Sequence, residues 1–206
     1  MNLSARLKLV SILIILLLVA SLYVINRLDD VSPQELNVRA EGSFVVKRME
    51  KDYFYSGIKQ VVAGENCIYV VFGSRGIVNV YSKNGKYQYS VAVYDYRNGR
   101  VKIAIVEEEL YIRDKVNNVY IFSGEELLQF VPKAETALII DSIDFNSNSE
   151  DYAVFQGSLW KVSSEGYDTC VIQRPFWLSL QQQGLGTFIM IGLLAIVGGI
   201  LFLKRK

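Results

Sequence analysis

The sequence predicts an all-β domain outside the cytoplasm, flanked by two transmembrane α-helices. The 206-residue chain carries one uncharged apolar run near each end. Between these runs, short stretches rich in Val, Ile, Tyr and Phe alternate with Gly, Asn, Ser and acidic residues, which is typical of strands and turns. A period near 40 residues indicates that this central part is built from about three repeats.

The composition excludes several classes of protein. The 22 Lys and Arg residues nearly balance the 21 Asp and Glu residues, whereas nucleic-acid binders usually carry a basic excess. The chain contains no histidine, so it cannot use a Ser-His or Cys-His mechanism or a histidine-ligated metal. Two cysteines are too few for a disulfide-dense scaffold. The hydrophobic fraction of 51% is high for a soluble protein.

The apolar runs at residues 9–25 and 185–203 are each close to the length that a membrane-spanning helix needs. Arg6 and Lys8 precede the first run and a basic tail, 204–206, follows the second, so both termini are expected in the cytoplasm. The first run also resembles a cleaved signal peptide. We favour an uncleaved anchor, with the central domain outside a bacterial cell membrane.

This topology divides the chain into seven segments. Ala195 and Gly199 form a small-xxx-small pair that can let two membrane helices pack closely. The predicted segments are a cytoplasmic tail (1–8), the first span (9–25), a tether (26–42), the β-rich domain (43–174), a juxtamembrane linker (175–184), the second span (185–203) and the basic tail (204–206).

The central repeats each contain four apolar runs and a turn glycine. The turn glycines lie at positions 85, 124 and 166, which are 39 and 42 residues apart. No helix is expected before the second span, and 43–49 and 52–55 could add two more strands. The predicted strands are 58–63, 68–73, 76–82 and 86–91 in the first unit, 101–106, 110–113, 118–124 and 127–131 in the second, and 138–143, 152–155, 158–163 and 169–172 in the third.

This pattern resembles the repeats of β-propeller families, in which four-stranded blades pack face to face. The resemblance covers residues 58–173 and implies an interaction or ligand-binding platform; it transfers no functional residue. Three blades are too few to close a ring. We therefore expect about three propeller-blade-like units in an open or incomplete propeller. A sandwich, a fourth incomplete blade and a six-bladed ring shared by two chains remain alternatives.

Cys67 and Cys170 lie in the first and last repeats, in a compartment where disulfides persist. A bond between them would join the two ends of the stack. The alternative is two separate buried thiols.

Tyrosines in two closely spaced pairs are the candidate binding face. Tyr87 and Tyr89 are two residues apart, as are Tyr94 and Tyr96, so each pair would share one side of a strand. Tyrosine is enriched in protein interfaces. The alternative is that these rings fill the space between sheets.

The remaining polar motifs give weaker signals. Oxygen-bearing residues alternate through 144–150, as at the start of a calcium loop, but Ser149 and Phe155 stand where that loop needs Gly and Glu. The acidic run 107–109 could do acid-base chemistry, although adjacent carboxylates on a turn are usually just solvated. We predict no metal, no cofactor and no catalytic residue.

These observations favour a non-enzymatic membrane protein that acts through partners. We expect an accessory subunit or docking surface in an envelope or transport complex, contacting the lipid bilayer and either a protein partner or a second copy, and no nucleic acid. The alternative is a binding module for carbohydrate or another envelope molecule. A hydrolase that uses carboxylates alone is a remote alternative.

Overall fold

The structure is a computed structural model. It describes residues 36–38, 44–46, 52–54, 56–73, 76–93, 99–176 and 178, with the backbone alone at 36–38 and 44–46. The chain divides into two compact units, one spanning Val31–Arg174 and the other combining Met1–Asp30 with Pro175–Lys206. Both predicted spans, with Ala195 and Gly199, lie outside the described residues. Within the described part, no helix has the length and apolar character to cross a membrane.

The unit Val31–Arg174 contains three antiparallel sheets formed in chain order. Sheet I has the order β1-β2-β6-β5-β4-β3, sheet II the order β10-β9-β8-β7, and sheet III the order β11-β12-β13. The strands of sheet I are β1 (Leu36–Val38), β2 (Phe44–Val46), β3 (Ile58–Ala63), β4 (Cys67–Phe72), β5 (Ile77–Ser82) and β6 (Tyr87–Ala92). Those of sheet II are β7 (Lys102–Val106), β8 (Glu109–Arg113), β9 (Val119–Ser123) and β10 (Glu126–Val131). Those of sheet III are β11 (Tyr152–Phe155), β12 (Ser158–Ser163) and β13 (Gly166–Ile172).

The prediction of an all-β domain is confirmed, and its described strands form three antiparallel sheets. Each predicted strand of the first two repeats forms within one residue of its expected bounds, and the last three strands of the third repeat form as well. In the order found among the described strands, no sheet closes on itself.

The predicted strand at 138–143 is wrong. A short 3₁₀ helix (Lys133–Glu135) and the helix α1 (Ala137–Ser142) occupy this part of the chain. Ile139, Ile140 and Ile143 all pack against sheet II, whereas Leu138 is 84% exposed. Strand alternation would place Leu138 and Ile140 on one side, so the apolar spacing here fits a helical turn better than a strand.

Two predictions near the beginning of the domain also need correction. Leu36–Val38 lies in the expected tether, but it pairs with Phe44–Val46 as an outer strand of sheet I. Asp52–Phe54 forms a bend and not the suggested strand. Tyr53 and Phe54 are both buried, and both rings make edge contacts with Phe72, at centroid distances of 5.0 and 5.3 Å. Successive side chains of a strand would point to opposite sides, so a bend is needed to bury both against one ring.

Sheets I and II enclose the main core. Strand alternation brings one side of each sheet to this interface, and twelve buried residues form the cluster. They are Tyr69, Val71, Val78, Val80, Val91 and Val93 from sheet I, and Val101, Ile103, Leu110, Ile112, Tyr120 and Phe122 from sheet II and its entry. The other side of sheet II is covered by α1 and by Phe145, which is 2% exposed.

Gln60 of β3 joins the two sheets by hydrogen bonds. Its Oε1 accepts from the Ile103 amide at 3.0 Å, and its Nε2 donates to the Ile103 carbonyl at 2.9 Å. The same Nε2 lies 3.1 and 3.0 Å from the carbonyl oxygens of Phe145 and Ser147. A buried side-chain amide thus replaces a neighbouring strand for β7 and fixes the segment that leads to sheet III.

Candidate functional site

Sheet III differs from the other sheets because one of its sides carries exposed aromatic rings. Its first hairpin turns at Gln156 and Gly157, whose φ values are +50° and +80°. This two-residue turn places Phe155 opposite Ser158 and Ala153 opposite Trp160. Because residues directly opposite each other lie on the same side of a sheet, Ala153, Phe155 and Trp160 share one side.

The second hairpin adds Tyr167 to that side. A register shift between Lys161 and Val162 pairs Val162 with Tyr167. The rings of Phe155 and Tyr167 stack at a centroid distance of 4.9 Å, and those of Trp160 and Tyr167 meet edge-on at 6.2 Å. Phe155 is 43% exposed and Tyr167 is 53% exposed, while Trp160 is half-buried. We call Phe155, Trp160 and Tyr167 the aromatic face.

Two further groups on this side are sheltered from water. Trp160 Nε1 is buried and has no hydrogen-bond partner in the structure. Buried indole N–H groups usually find an acceptor, so this donor is unsatisfied. Cys170 lies opposite Trp160, and burial raises the pKa of its thiol above the usual value of 9.0. The thiol is therefore neutral at physiological pH and contributes to packing.

The other side of sheet III is anchored within the domain. Leu159 and Ile172 are buried there, and the Tyr152 ring lies 6.0 Å from Lys83 Nζ in the turn between β5 and β6. A Cβ atom at Gly85 in that turn would lie 1.8 Å from the Val171 carbonyl oxygen, so the backbones touch. Sheet III thus has one side held by sheet I and one side that presents the aromatic face.

The possible disulfide is not formed in the structure, where Cys67 and Cys170 are both free thiols. Cys67 begins β4, and its Sγ lies 3.6 Å from Gln88 Oε1 on the neighbouring part of sheet I. Cys170 lies in β13 opposite Trp160. Burial, followed by the nearby Glu108 carboxylate, raises the pKa of the Cys67 thiol. Each cysteine therefore behaves as a small half-buried side chain, which was the alternative interpretation.

The predicted tyrosine face does not form at Tyr87 and Tyr89. Val80 pairs with Tyr89 and Tyr81 pairs with Tyr87, so Gln88 is the extra residue of a β-bulge. The bulge turns Tyr89 into the core between sheets I and II, while Tyr87 packs edge-on against Tyr81 on the other side of sheet I. Tyr94 and Tyr96 lie outside the described residues.

The oxygen-rich loop 144–150 joins sheets. Asn148 Oδ1 accepts from the Val61 amide at 3.1 Å, and the Ser149 amide donates to the Val61 carbonyl at 2.9 Å. Lys102 Nζ donates to Asn146 Oδ1. These contacts occupy the side-chain oxygens of Asn146 and Asn148. Within the described residues, no group of three or more His, Cys, Asp or Glu side chains is placed to hold a metal ion.

The acidic run 107–109 also has a structural role. Glu107 and Glu108 form the turn between β7 and β8, with φ values of +50° and +65°. Both carboxylate oxygens of Glu108 accept from the Glu65 amide, at 3.0 and 2.9 Å. The run therefore fastens one hairpin turn of sheet II to one of sheet I.

Sequence reasoning missed the aromatic face, although part of its signal is visible. The pair Gln156–Gly157 between two predicted strands indicates a tight hairpin, which would have placed Phe155 and Trp160 on one side. Tyr167 lay outside the predicted strand 169–172, and a register shift was needed to bring it to the same side.

Comparisons with known proteins add no relative: no protein-family model, no curated protein and no solved structure matches this chain.

Proposed function

We propose that this chain is a non-enzymatic interaction module, anchored in the membrane by its two apolar runs, that binds a protein partner through the aromatic face. In this proposal it serves as an accessory subunit or docking surface of an envelope or transport complex. The observation that carries the proposal is the aromatic face itself. Two stacked rings are each about half exposed on a sheet whose opposite side is anchored to the domain.

The chemistry of the aromatic face favours a protein partner. Tyr and Trp are enriched among the residues that dominate binding energy in protein interfaces, because large rigid rings bury much area at low entropic cost. Tyr167 adds a hydroxyl group at the edge of an exposed ring, so this surface combines apolar area with a polar group. A rigid support strengthens such a surface, since less conformational freedom is lost on binding.

The sheet arrangement supports the blade-like interpretation as part of this proposal. In β3 to β6, in sheet II and in sheet III, consecutive strands are neighbours, as they are in the blades of a propeller. An open stack of such units leaves its last sheet without a neighbour on one side, and the aromatic face lies on that sheet.

Crosslinking in intact cells tests the proposal. The full chain is crosslinked, extracted in detergent and purified, and the attached polypeptides are quantified by mass spectrometry. The Phe155→Ser/Tyr167→Ser variant is compared with Leu128→Ser, which changes a 50% exposed apolar residue of sheet II. We expect a stoichiometric foreign polypeptide that is reduced at least about tenfold by the double variant, as for the loss of interface hot spots, and retained by Leu128→Ser.

A partner retained equally by both variants would contradict the assignment of the aromatic face. If no polypeptide is captured and the double variant instead abolishes retention on polysaccharide columns, the alternative of a carbohydrate-binding module replaces the proposal. Replacement of either apolar run by an unrelated membrane helix tests the anchors separately. If the runs serve only as anchors, the complex with the partner should still assemble. Loss of the complex would show that the replaced run itself contacts the partner.

A further inference from the structure

Sheet III has three strands, whereas sheet II and the β3–β6 part of sheet I each have four. In the first two repeats, β3 and β7 lie beside β4 and β8. In the third repeat, helix α1 occupies the place in the chain where the corresponding strand was predicted. Among the described residues, no strand pairs with the outer edge of β11. An uncovered edge presents amide and carbonyl groups that can pair with another strand.

The hydrogen bonds of β11 show which of its groups point outward. The Val162 amide donates to the Asp151 carbonyl at 2.8 Å, which makes 151 and 162 a hydrogen-bonded pair. In an antiparallel ladder such pairs alternate, so Ala153 and Phe155 also bond to β12. The amide and carbonyl groups of Val154 therefore point outward from the free edge of the sheet, away from β12. The Val154 side chain is 45% exposed as well.

We infer that β11 pairs with β11 of a second copy of this chain, antiparallel, about a twofold axis at Val154. The two Val154 residues would then exchange both amide-to-carbonyl hydrogen bonds. Such an interface is self-complementary, because one patch serves on both chains. This inference does not rest on the proposed function.

The side chains of β11 are complementary to themselves in this register. Phe155 of one copy lies opposite Ala153 of the other, so each large ring meets a small side chain on the side of the aromatic face. The two Val154 side chains meet on the opposite side. Phe155 is 43% exposed in the single chain, and this pairing would cover part of it.

The charges at the ends of β11 match as well. In the same register, the end of β11 at Asp151 in one copy lies beside the hairpin turn at Gln156 and Gly157 of the other. The Arg174 side chain runs along Gly157, where a Cβ atom would lie 2.7 Å from Arg174 Cδ and 3.3 Å from Nη1. Asp151 is exposed. The twofold axis therefore brings the exposed Asp151 carboxylate of each copy toward the Arg174 guanidinium of the other. This charge complementarity favours a second copy of the chain as the partner of β11.

Sedimentation of the full chain in detergent tests the pairing. We expect twice the mass of the 23.3 kDa chain, with dissociation on dilution. Val154→Pro removes the outward amide without removing a bond to β12, and it should raise the dimer dissociation constant about 10- to 100-fold for two lost hydrogen bonds. Val154→Thr, which keeps the amide and the branched shape, should dimerise like the parent. A chain that is monomeric at every concentration would overturn the inference.

Charge reversal gives a test that does not depend on a proline. Asp151→Arg and Arg174→Asp should each weaken the dimer, and the double variant should restore it. If the double variant is as weak as the single ones, the register is wrong.

Cysteine crosslinking in membranes tests the axis directly. In a Cys67→Ser/Cys170→Ser background, Val154→Cys should form a disulfide-linked dimer, since facing residues of paired strands are within bonding reach. Leu128→Cys, at a residue of similar exposure in β10, is the control. Equal crosslinking at both positions would overturn the inference.

Discussion

Sheets I and II bury apolar side chains against each other, whereas sheet III presents apolar rings to solvent. Twelve buried residues lie between the first two sheets, and the Gln60 amide bonds them at their edges. In sheet III, the buried apolar residues are Tyr152, Leu159 and Ile172. The difference indicates that sheets I and II provide most of the buried apolar core, whereas sheet III carries the exposed rings on which the proposed binding role rests.

The largest difference in stability is expected between alanine substitutions at two phenylalanines, one in the core and one in the aromatic face. Phe122→Ala removes a fully buried ring from the core and should lower the free energy of unfolding by about 3–5 kcal/mol. Phe155→Ala removes an exposed ring and should cost less than ~1 kcal/mol. Chemical denaturation of the full chain in detergent, followed by near-ultraviolet circular dichroism, measures both. Equal losses would contradict the division between stability and binding.

Gln60→Leu should give the next largest effect. The leucine fills the space but leaves the Ile103 amide and carbonyl without the partner they have in Gln60, which should cost about 2–3 kcal/mol. Gln88→Leu is the matched control, because Gln88 is exposed and contacts the Cys67 thiol. A loss below ~1 kcal/mol for Gln60→Leu would show that this amide does not hold the sheets together.

Two buried tyrosine hydroxyls should differ in how much they contribute to the free energy of unfolding. Tyr81 Oη donates to the Asp52 carbonyl at 2.5 Å and accepts from Asn79 Nδ2 at 3.3 Å, so Tyr81→Phe should cost about 1–2 kcal/mol. Tyr53 Oη is buried and has no hydrogen-bond partner, so Tyr53→Phe should be neutral or stabilising. The same denaturation experiment compares them. A larger loss for Tyr53→Phe would contradict this hydrogen-bond assignment.

The smallest effect at neutral pH concerns two other buried tyrosines, which lie in the main core. Burial raises the pKa of Tyr69 and Tyr120, at the interface of sheets I and II, to about 12 from a usual value of 10.0. The unfolded chain loses these protons first, so the folded state binds more protons above pH 10 and its stability must fall as pH rises from 10 toward 12. Thermal unfolding should show no such slope below pH 9. Tyr69→Phe should reduce the slope, and an unchanged slope would contradict its burial as the cause.

The sequence was sufficient where local signals agreed with tertiary packing. The strands β3 to β10 are short apolar runs between turn residues, and the sequence predicted their bounds to within one residue. At Leu138–Ile143, an apolar run of strand length formed a helix because Ile139, Ile140 and Ile143 pack together against sheet II. An apolar run of this length does not by itself distinguish the two structures.

The register of the strands, which decides the side to which each side chain points, was the second feature that the sequence did not predict. The bulge at Gln88 reverses the side to which Tyr87 points relative to Tyr89, and the shift after Lys161 brings Tyr167 to the aromatic face. One extra residue changes the side of every later side chain in a strand. Pattern reading assumes regular alternation, so it proposed a tyrosine face in sheet I and missed the aromatic face of sheet III.

Site-specific photocrosslinking tests the central claim most directly, namely that sheet III is the binding region of the molecule. A photoreactive residue replaces Tyr167 in sheet III, or Leu128 or Val106 in sheet II, all exposed by more than a third. Crosslinking is carried out in intact cells with the full chain. We predict a single strong foreign adduct from position 167 and none of comparable yield from positions 128 and 106. The strongest foreign adduct at 128 or 106, with none at 167, would contradict the claim.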